Sequence, residues 1–116
     1  MIKYDTYLKL YGEAVEYGDN LEMYIAERGW QEWMNNIEDP SEVLISVYKM
    51  AHMSIADIRK AMNLSQMMFS QFVGIPKRTI EDWEAGKRRI NPYQLCMISY
   101  VVWEMLQEDT NDSGNK

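Results

Sequence analysis

Apolar residues in this chain recur at intervals of three and four, and nowhere does a sustained two-residue alternation take their place. Spacing of that kind lays one apolar stripe along a helix, so the chain reads as all-α. Tyr4, Leu8, Tyr11 and Val15 share one helical face, with Gly18 placed to close that helix. Leu21, Tyr24 and Ile25 make a second short stripe that stops near Gly29, and Trp30, Trp33 and Met34 suit a further helical turn. Asp39 is a candidate cap for a helix with Pro40 at its first position and Val43, Leu44, Val47, Tyr48 and Met50 on its buried side, running to about Ala51.

The second half of the chain is punctuated more tightly. Ser54 followed three residues later by Asp57 has the spacing of a capping box, and Ile55, Ile58 and Met62 form the apolar stripe of a helix ending at Asn63. Ser65 then caps residues 66–72, and Gly74 can take the left-handed conformation that turns the chain. A helix over residues 77–85 is stopped by Gly86, and Asn91 and Pro92 open a long last helix ending about Gln107.

Charge is distributed unevenly. The net charge is −6, yet five of the twelve basic residues, Lys77, Arg78, Lys87, Arg88 and Arg89, fall within residues 74–92. Residues 1–53 carry ten acidic and four basic side chains, whereas residues 54–106 carry five and seven. Phosphates demand local positive charge whatever the total is, and an acidic remainder limits nonspecific adhesion.

Other features narrow the field. With 116 residues and 47% hydrophobic content, the chain suits one compact domain with room for an appended subdomain. Its ten methionines, four tryptophans and eight tyrosines imply a core of large, adaptable side chains. Cys96 is the single cysteine, so no internal disulfide is expected, and no Cys/His spacing fits a metal; neither metal nor cofactor is expected. The absence of a leader pattern and of eighteen consecutive apolar residues predicts a cytoplasmic protein without a membrane partner. His52, the sole histidine, reads as structural, Cys96 as a small buried filler, and Glu13 and Glu16 as a solvated face. No nucleophile, base and orienting group can be assembled, so the chain does not read as an enzyme. The polar residues 108–116 are expected to be disordered.

Two helices joined by a short glycine-containing turn are the skeleton of a helix-turn-helix. On its second helix Ile80 and Trp83 lie three apart and must point inward, which turns Lys77, Arg78, Glu81, Asp82 and Ala85 outward, toward a major groove if DNA is the partner. The stretch "IRKAMNLSQMMFSQFVGIPKRTIEDWEAGKRRINP" resembles the XRE-type, lambdoid-repressor-like helix-turn-helix domains over residues 54–106. Carrying the likeness are Leu64-Ser65-Gln66, Phe69, Ser70, Val73-Gly74-Ile75, Arg78-Thr79-Ile80, Trp83-Glu84 with Gly86, and the basic tail.

The resemblance implies a lambda-repressor-like helix-turn-helix bundle with additional N-terminal helices, its motif core made by Phe69, Val73, Ile80 and Trp83. It implies that Gln66 contacts DNA backbone or a base edge, that Lys77, Arg78, Thr79 and Asp82 stand at recognition positions, and that Lys87, Arg88 and Arg89 lie along phosphates. Chemistry agrees with these roles: arginine binds guanine O6 and N7 with two bonds, and a carboxylate accepts from cytosine N4. The sequence departs from the family pattern at Pro76, where a Ser or Thr cap is usual, at Ser70 in place of Ala, and at Glu81 and Asp82, which place negative charge on the DNA-facing side. A plainer reading pairs Lys77 with Glu81 and Arg78 with Asp82 as surface ion pairs one turn apart.

The last helix, "PYQLCMISYVVWEMLQ", is apolar almost all the way round and must be covered on two sides, either by the N-terminal helices or by a second copy of the chain. The organisation expected is thus an acidic helical extension over residues 1–53, a helix-turn-helix over 54–107 and a tail over 108–116. A sequence-specific regulator, most simply a repressor acting as a homodimer on double-stranded DNA, is one reading. The other is a protein-interaction module, antitoxin-like or a phage-encoded inhibitor, that engages a protein target through the acidic half with Tyr17, Tyr24, Trp30 and Trp33 as anchors.

Overall fold

The computed structural model describes residues 2–114, and among them every regular element is helical. They divide into two compact units at the His52–Met53 boundary.

The first unit comprises α1 (Tyr4–Tyr17), α2 (Leu21–Ala26), a single 3-10 turn (Glu32–Met34) and α3 (Pro40–Ala51), with α1 packed against both other helices. Gly18 ends α1 and Asp39 caps α3, its carboxylate accepting from Glu42 N at 3.3 Å. The inward face of α1 is Tyr7, Leu10, Tyr11 and Ala14, not the stripe of Tyr4, Leu8, Tyr11 and Val15 that the sequence favours; Val15 is exposed. Tyrosines at 4, 7 and 11 support two overlapping stripes, and packing against α3 selects the one that also buries Leu10 and Ala14.

Polar atoms inside this unit find partners through tyrosine. The buried Tyr24 hydroxyl donates to Leu10 O at 2.9 Å, and Tyr48 donates to Gly18 O. Burial pushes the Tyr24 phenol up to about 12. Over its ring, 4.3 Å from the centroid, lies the Arg28 guanidinium, whose Nη1 is 2.6 Å from Glu13 Oε1. Trp30 stands in solvent and Trp33 is half-buried, whereas Tyr24, expected as a surface anchor, is wholly inside. His52 ends α3 exposed, its Nδ1 2.8 Å from Tyr48 O and its ring against that tyrosine.

In the second unit, α4 (Ile55–Ala61), α5 (Gln66–Val73), α6 (Lys77–Glu84) and α7 (Pro92–Gly114) follow one another through short turns. Ser54 and Asp57 close a reciprocal capping box, which holds the Asp57 carboxyl below its ordinary range, and Ser65 accepts from Met68 N at 3.1 Å. Ile58, Phe69, Ile80, Cys96, Ser99, Val102 and Trp103 are fully interior side chains of this unit. Val73 and Trp83 are half-buried at the edge of that core.

The last helix outruns its expected end at Gln107 and continues to Gly114, so residues 108–114 are helical where disorder is expected from composition; residues 115 and 116 lie outside the described residues. No proline or glycine stands between Tyr93 and Ser113 to interrupt the helix, and Gly114 is the first breaker it meets. Among the described residues no helix is long and apolar enough to cross a membrane, and no cluster of His, Cys, Asp or Glu is placed to hold a metal ion.

Candidate nucleic-acid interface

The geometry of α6 is set at the turn that precedes it. Gly74 adopts φ 72° and ψ 30°, the left-handed region where a side chain costs energy and glycine does not. Ser70 spans the turn from the other side: its carbonyl accepts from Gly74 N and Ile75 N, while its hydroxyl donates to Ile75 O at 2.6 Å. The serine that departs from the family's usual alanine therefore adds a bond across the turn. Pro76 stands at the cap position of α6 and offers no side-chain acceptor, but its carbonyl accepts from Thr79 N and Ile80 N at 3.0 and 3.2 Å. With φ pre-set by its ring, proline starts the helix without a hydroxyl.

Ile80 is fully buried, and this orientation fixes the opposite face. Lys77, Arg78 and Glu81 are exposed; Thr79 and Asp82 are half-buried beside them. Beyond the helix Gly86, at φ 76°, reverses the chain, and Lys87 N and Arg88 N both donate to Asp82 O, at 2.9 and 3.3 Å. The backbone of the cationic loop is thereby tied to the end of α6, while the side chains of Lys87, Arg88 and Arg89 stay in solvent.

Among the described residues the ion pairs of the plainer reading are not formed: neither Lys77 with Glu81 nor Arg78 with Asp82 is joined, and Lys87, Arg88 and Arg89 have no carboxylate partner either. Five unpaired cations thus surround one short helix.

Arg78, Asp82, Gln66 and Lys87 converge on one cleft, whose wall also includes Glu81, Glu84 and Ala85. Lys77, Thr79, Arg88 and Arg89 lie outside its lining. Gln66 is half-buried and its amide Nε2 donates to Glu84 Oε1 at 3.2 Å, so the carbonyl oxygen is the end left for another partner.

That glutamate belongs to a network with no signature in residue spacing. Arg59, on α4, reaches Glu84 with two parallel bonds, Nε to Oε2 at 2.8 Å and Nη2 to Oε1 at 2.9 Å, and gives a third, Nη1 to Leu64 O at 2.8 Å. Fork-to-fork pairing of this kind fixes orientation as well as distance. The guanidinium bonds hold the Glu84 carboxyl below its ordinary range and raise Arg59. Arg59 and Glu84 lock α4, the start of α5 and the end of α6 into one body. Twenty-five positions separate them in the chain, and only a pairing of unlike charges across the motif hints at their meeting.

A short helix, a left-handed glycine turn and a second helix presenting unpaired cations define a helix-turn-helix on an all-α, lambda-repressor-like scaffold. Residues 55–99 match the helix-turn-helix family model, and this part of the chain is a DNA-binding segment of the XRE type. No curated protein and no solved structure matches the chain. The matched stretch is 45 of the chain's 116 residues, and it supports DNA binding of the XRE type for that segment.

Proposed function

We propose that this protein is a sequence-specific repressor that acts in the cytoplasm by placing α6 in the major groove of an operator and excluding polymerase. The observation carrying this reading is the set of five exposed basic side chains, none paired with a carboxylate among the described residues, arrayed on α6 and its following loop. Arg78 bonds guanine, Asp82 accepts from cytosine N4, and Gln66 offers its carbonyl oxygen to a base edge or its neighbourhood. Lys77 and Thr79 flank them, and Lys87, Arg88 and Arg89 follow the phosphates. Two copies occupy paired half-sites of a pseudo-palindromic operator.

The test is selection from a random duplex library with the purified chain. Enrichment of a defined, two-fold symmetric site is the expected result; retention of all duplexes alike, or of none, overturns it.

A second reading, in which the acidic N-terminal unit grips a protein target, draws on one observation: Trp30 is exposed on a unit rich in carboxylates. Buried Tyr24 and half-buried Tyr17, which donates to Glu27 at 2.7 Å, are taken up by the fold. Pull-down with and without nuclease separates the readings, since a stoichiometric partner that survives nuclease supports the second.

A further inference from the structure

We propose that the cleft between the start of α1 and the 3-10 turn Glu32–Met34 binds a small aromatic carboxylate. It lies wholly within the N-terminal unit, so the proposal stands apart from the DNA-binding reading.

The cleft has a volume of about 700 Å³, inside the range of small-molecule sites. Its floor is apolar: Ile2 and Leu10 line it with only 5 and 1% of their surface exposed. Trp33 forms one wall, half-buried, and its Nε1 donates to Gln31 Oε1 at 2.7 Å. That bond satisfies the one polar atom of the indole, so what this residue offers to the cleft is ring surface. Aromatic bodies pack on such a surface by offset stacking or edge contact.

The charges of the wall select an anion. Residues 1–53 carry ten acidic and four basic side chains, and two of the three exposed cations, Lys3 and Lys9, line this one cleft. Neither forms an ion pair among the described residues. For Lys9 the reason is visible. Asp5 stands one helical turn away, at the spacing of a helix ion pair, but its Oδ1 accepts from Thr6 N at 2.8 Å and is held by the backbone instead. The Thr6 hydroxyl also lines the cleft as a donor, and so does the Gln31 amide nitrogen, whose carbonyl is taken by Trp33. Donors, two of them cationic, thus stand over an apolar floor, an arrangement that suits an anionic group attached to a ring.

Glu32 decides which anion. It opens the 3-10 turn, exposed on the cleft wall, and a like charge within a site selects against the more highly charged ligand. A carboxylate brings one negative charge, whereas a phosphate monoester at neutral pH brings about 1.5 to 2. The carboxylate is therefore the better fit, and the acidity of the surrounding unit disfavours polyanions in the same way.

The experiment titrates the full chain, labelled with ¹⁵N, with three probes that share one ring system: indole-3-acetate, its neutral amide, and indoxyl phosphate. The readout is the indole N–H resonance of Trp33, assigned by its loss in Trp33→Phe. Trp30, Trp83 and Trp103 do not line the cleft and act as internal controls. Expected is a saturable shift confined to Trp33, with a dissociation constant for the acetate between about 0.1 and about 3 mM, as a two-ring ligand in an open cleft gives. The amide and the phosphate should both bind more weakly. The double variant Lys3→Gln/Lys9→Gln changes only exposed positions, is checked by circular dichroism, and should weaken the acetate by about five- to tenfold. Glu32→Gln should narrow the gap between phosphate and acetate. No saturable shift at Trp33 up to about 10 mM, far above the affinity expected for this size, overturns the proposal. So does an amide that binds as tightly as the acetate, an affinity that the double lysine variant leaves unchanged, or a wild type that prefers the phosphate.

Discussion

In the N-terminal unit a cation is interior. Arg28 keeps only 2% of its side chain exposed, lying on the Tyr24 ring and against Glu13. In the second unit Lys77, Arg78, Lys87, Arg88 and Arg89 are all in solvent, and the structure offers them no partner among the described residues. There the interior pairing is confined to Arg59 and Glu84, whose bridge stands behind α6. Both units contain buried or half-buried arginine; the exposed cations of the first, Lys3, Lys9 and Lys49, lie on or beside α1 and at the end of α3, whereas five of those in the second gather on α6 and the loop after it. The contrast separates charge that holds a fold together from charge held ready for something outside it, and composition alone does not distinguish the two.

Substitutions sharpen or break that contrast. The largest effect is expected at Glu84. Glu84→Gln removes a carboxylate from a nearly buried bidentate pair and should cost roughly 3 kcal/mol in urea unfolding. The pH dependence follows from the depressed carboxyl. Its contribution is full above the ordinary glutamate value of about 4.3 and is lost as pH falls through the lower value of the folded state. In the variant that part of the acid slope should vanish. Equal stability and an equal acid slope for both proteins would show that the bridge is ornamental.

Arg28 comes next. Arg28→Ala should cost about 2 kcal/mol, because it removes both the ring contact and the pair with Glu13. Arg28→Met should cost less than about 1 kcal/mol: Nε of this arginine is buried without a hydrogen-bond partner among the described residues, and Glu13 is open enough to rehydrate. Thermal unfolding of the two variants tests this order, and a methionine variant less stable than the alanine one contradicts it.

Arg78→Ala carries the contrast to the outside. Stability should change by less than about 0.5 kcal/mol. Discrimination at one base pair of the selected operator should fall by on the order of 1.5 kcal/mol, measured by titrating duplexes substituted at each position. A stability loss as large as that at Arg28 would mean that Arg78 belongs to the fold. The smallest effect is expected from Lys87→Ala, which should weaken cognate and random duplexes alike and flatten the salt dependence by about one unit per monomer.

Much of this arrangement is visible in the sequence where the signal is local. Asp39, Ser54 with Asp57, Ser65, Gly74, Gly86 and Pro92 mark helix ends through chemistry that acts within four residues, and the helices begin and end beside them. The inward direction of Ile80 is likewise local, since one helical turn fixes it. What escapes is whatever depends on a distant partner. The face of α1 turned to α3, the bridge from Arg59 to Glu84 and the hold of that glutamate on Gln66 each require knowing which elements meet. Ser70 shows the boundary well: only five residues separate it from Ile75, yet as a letter it reads as a mere substitute for alanine, and its bond across the turn appears only once the turn is built.

The two amides that converge on Asp82 O have a thermodynamic consequence. Fixing one backbone residue costs roughly 1 to 2 kcal/mol, and for Lys87 and Arg88 that ordering has already occurred in the unbound chain. Engagement of a duplex should thus show little of the unfavourable entropy of coupled folding, and calorimetry should register a heat-capacity change no larger than the docked surface requires.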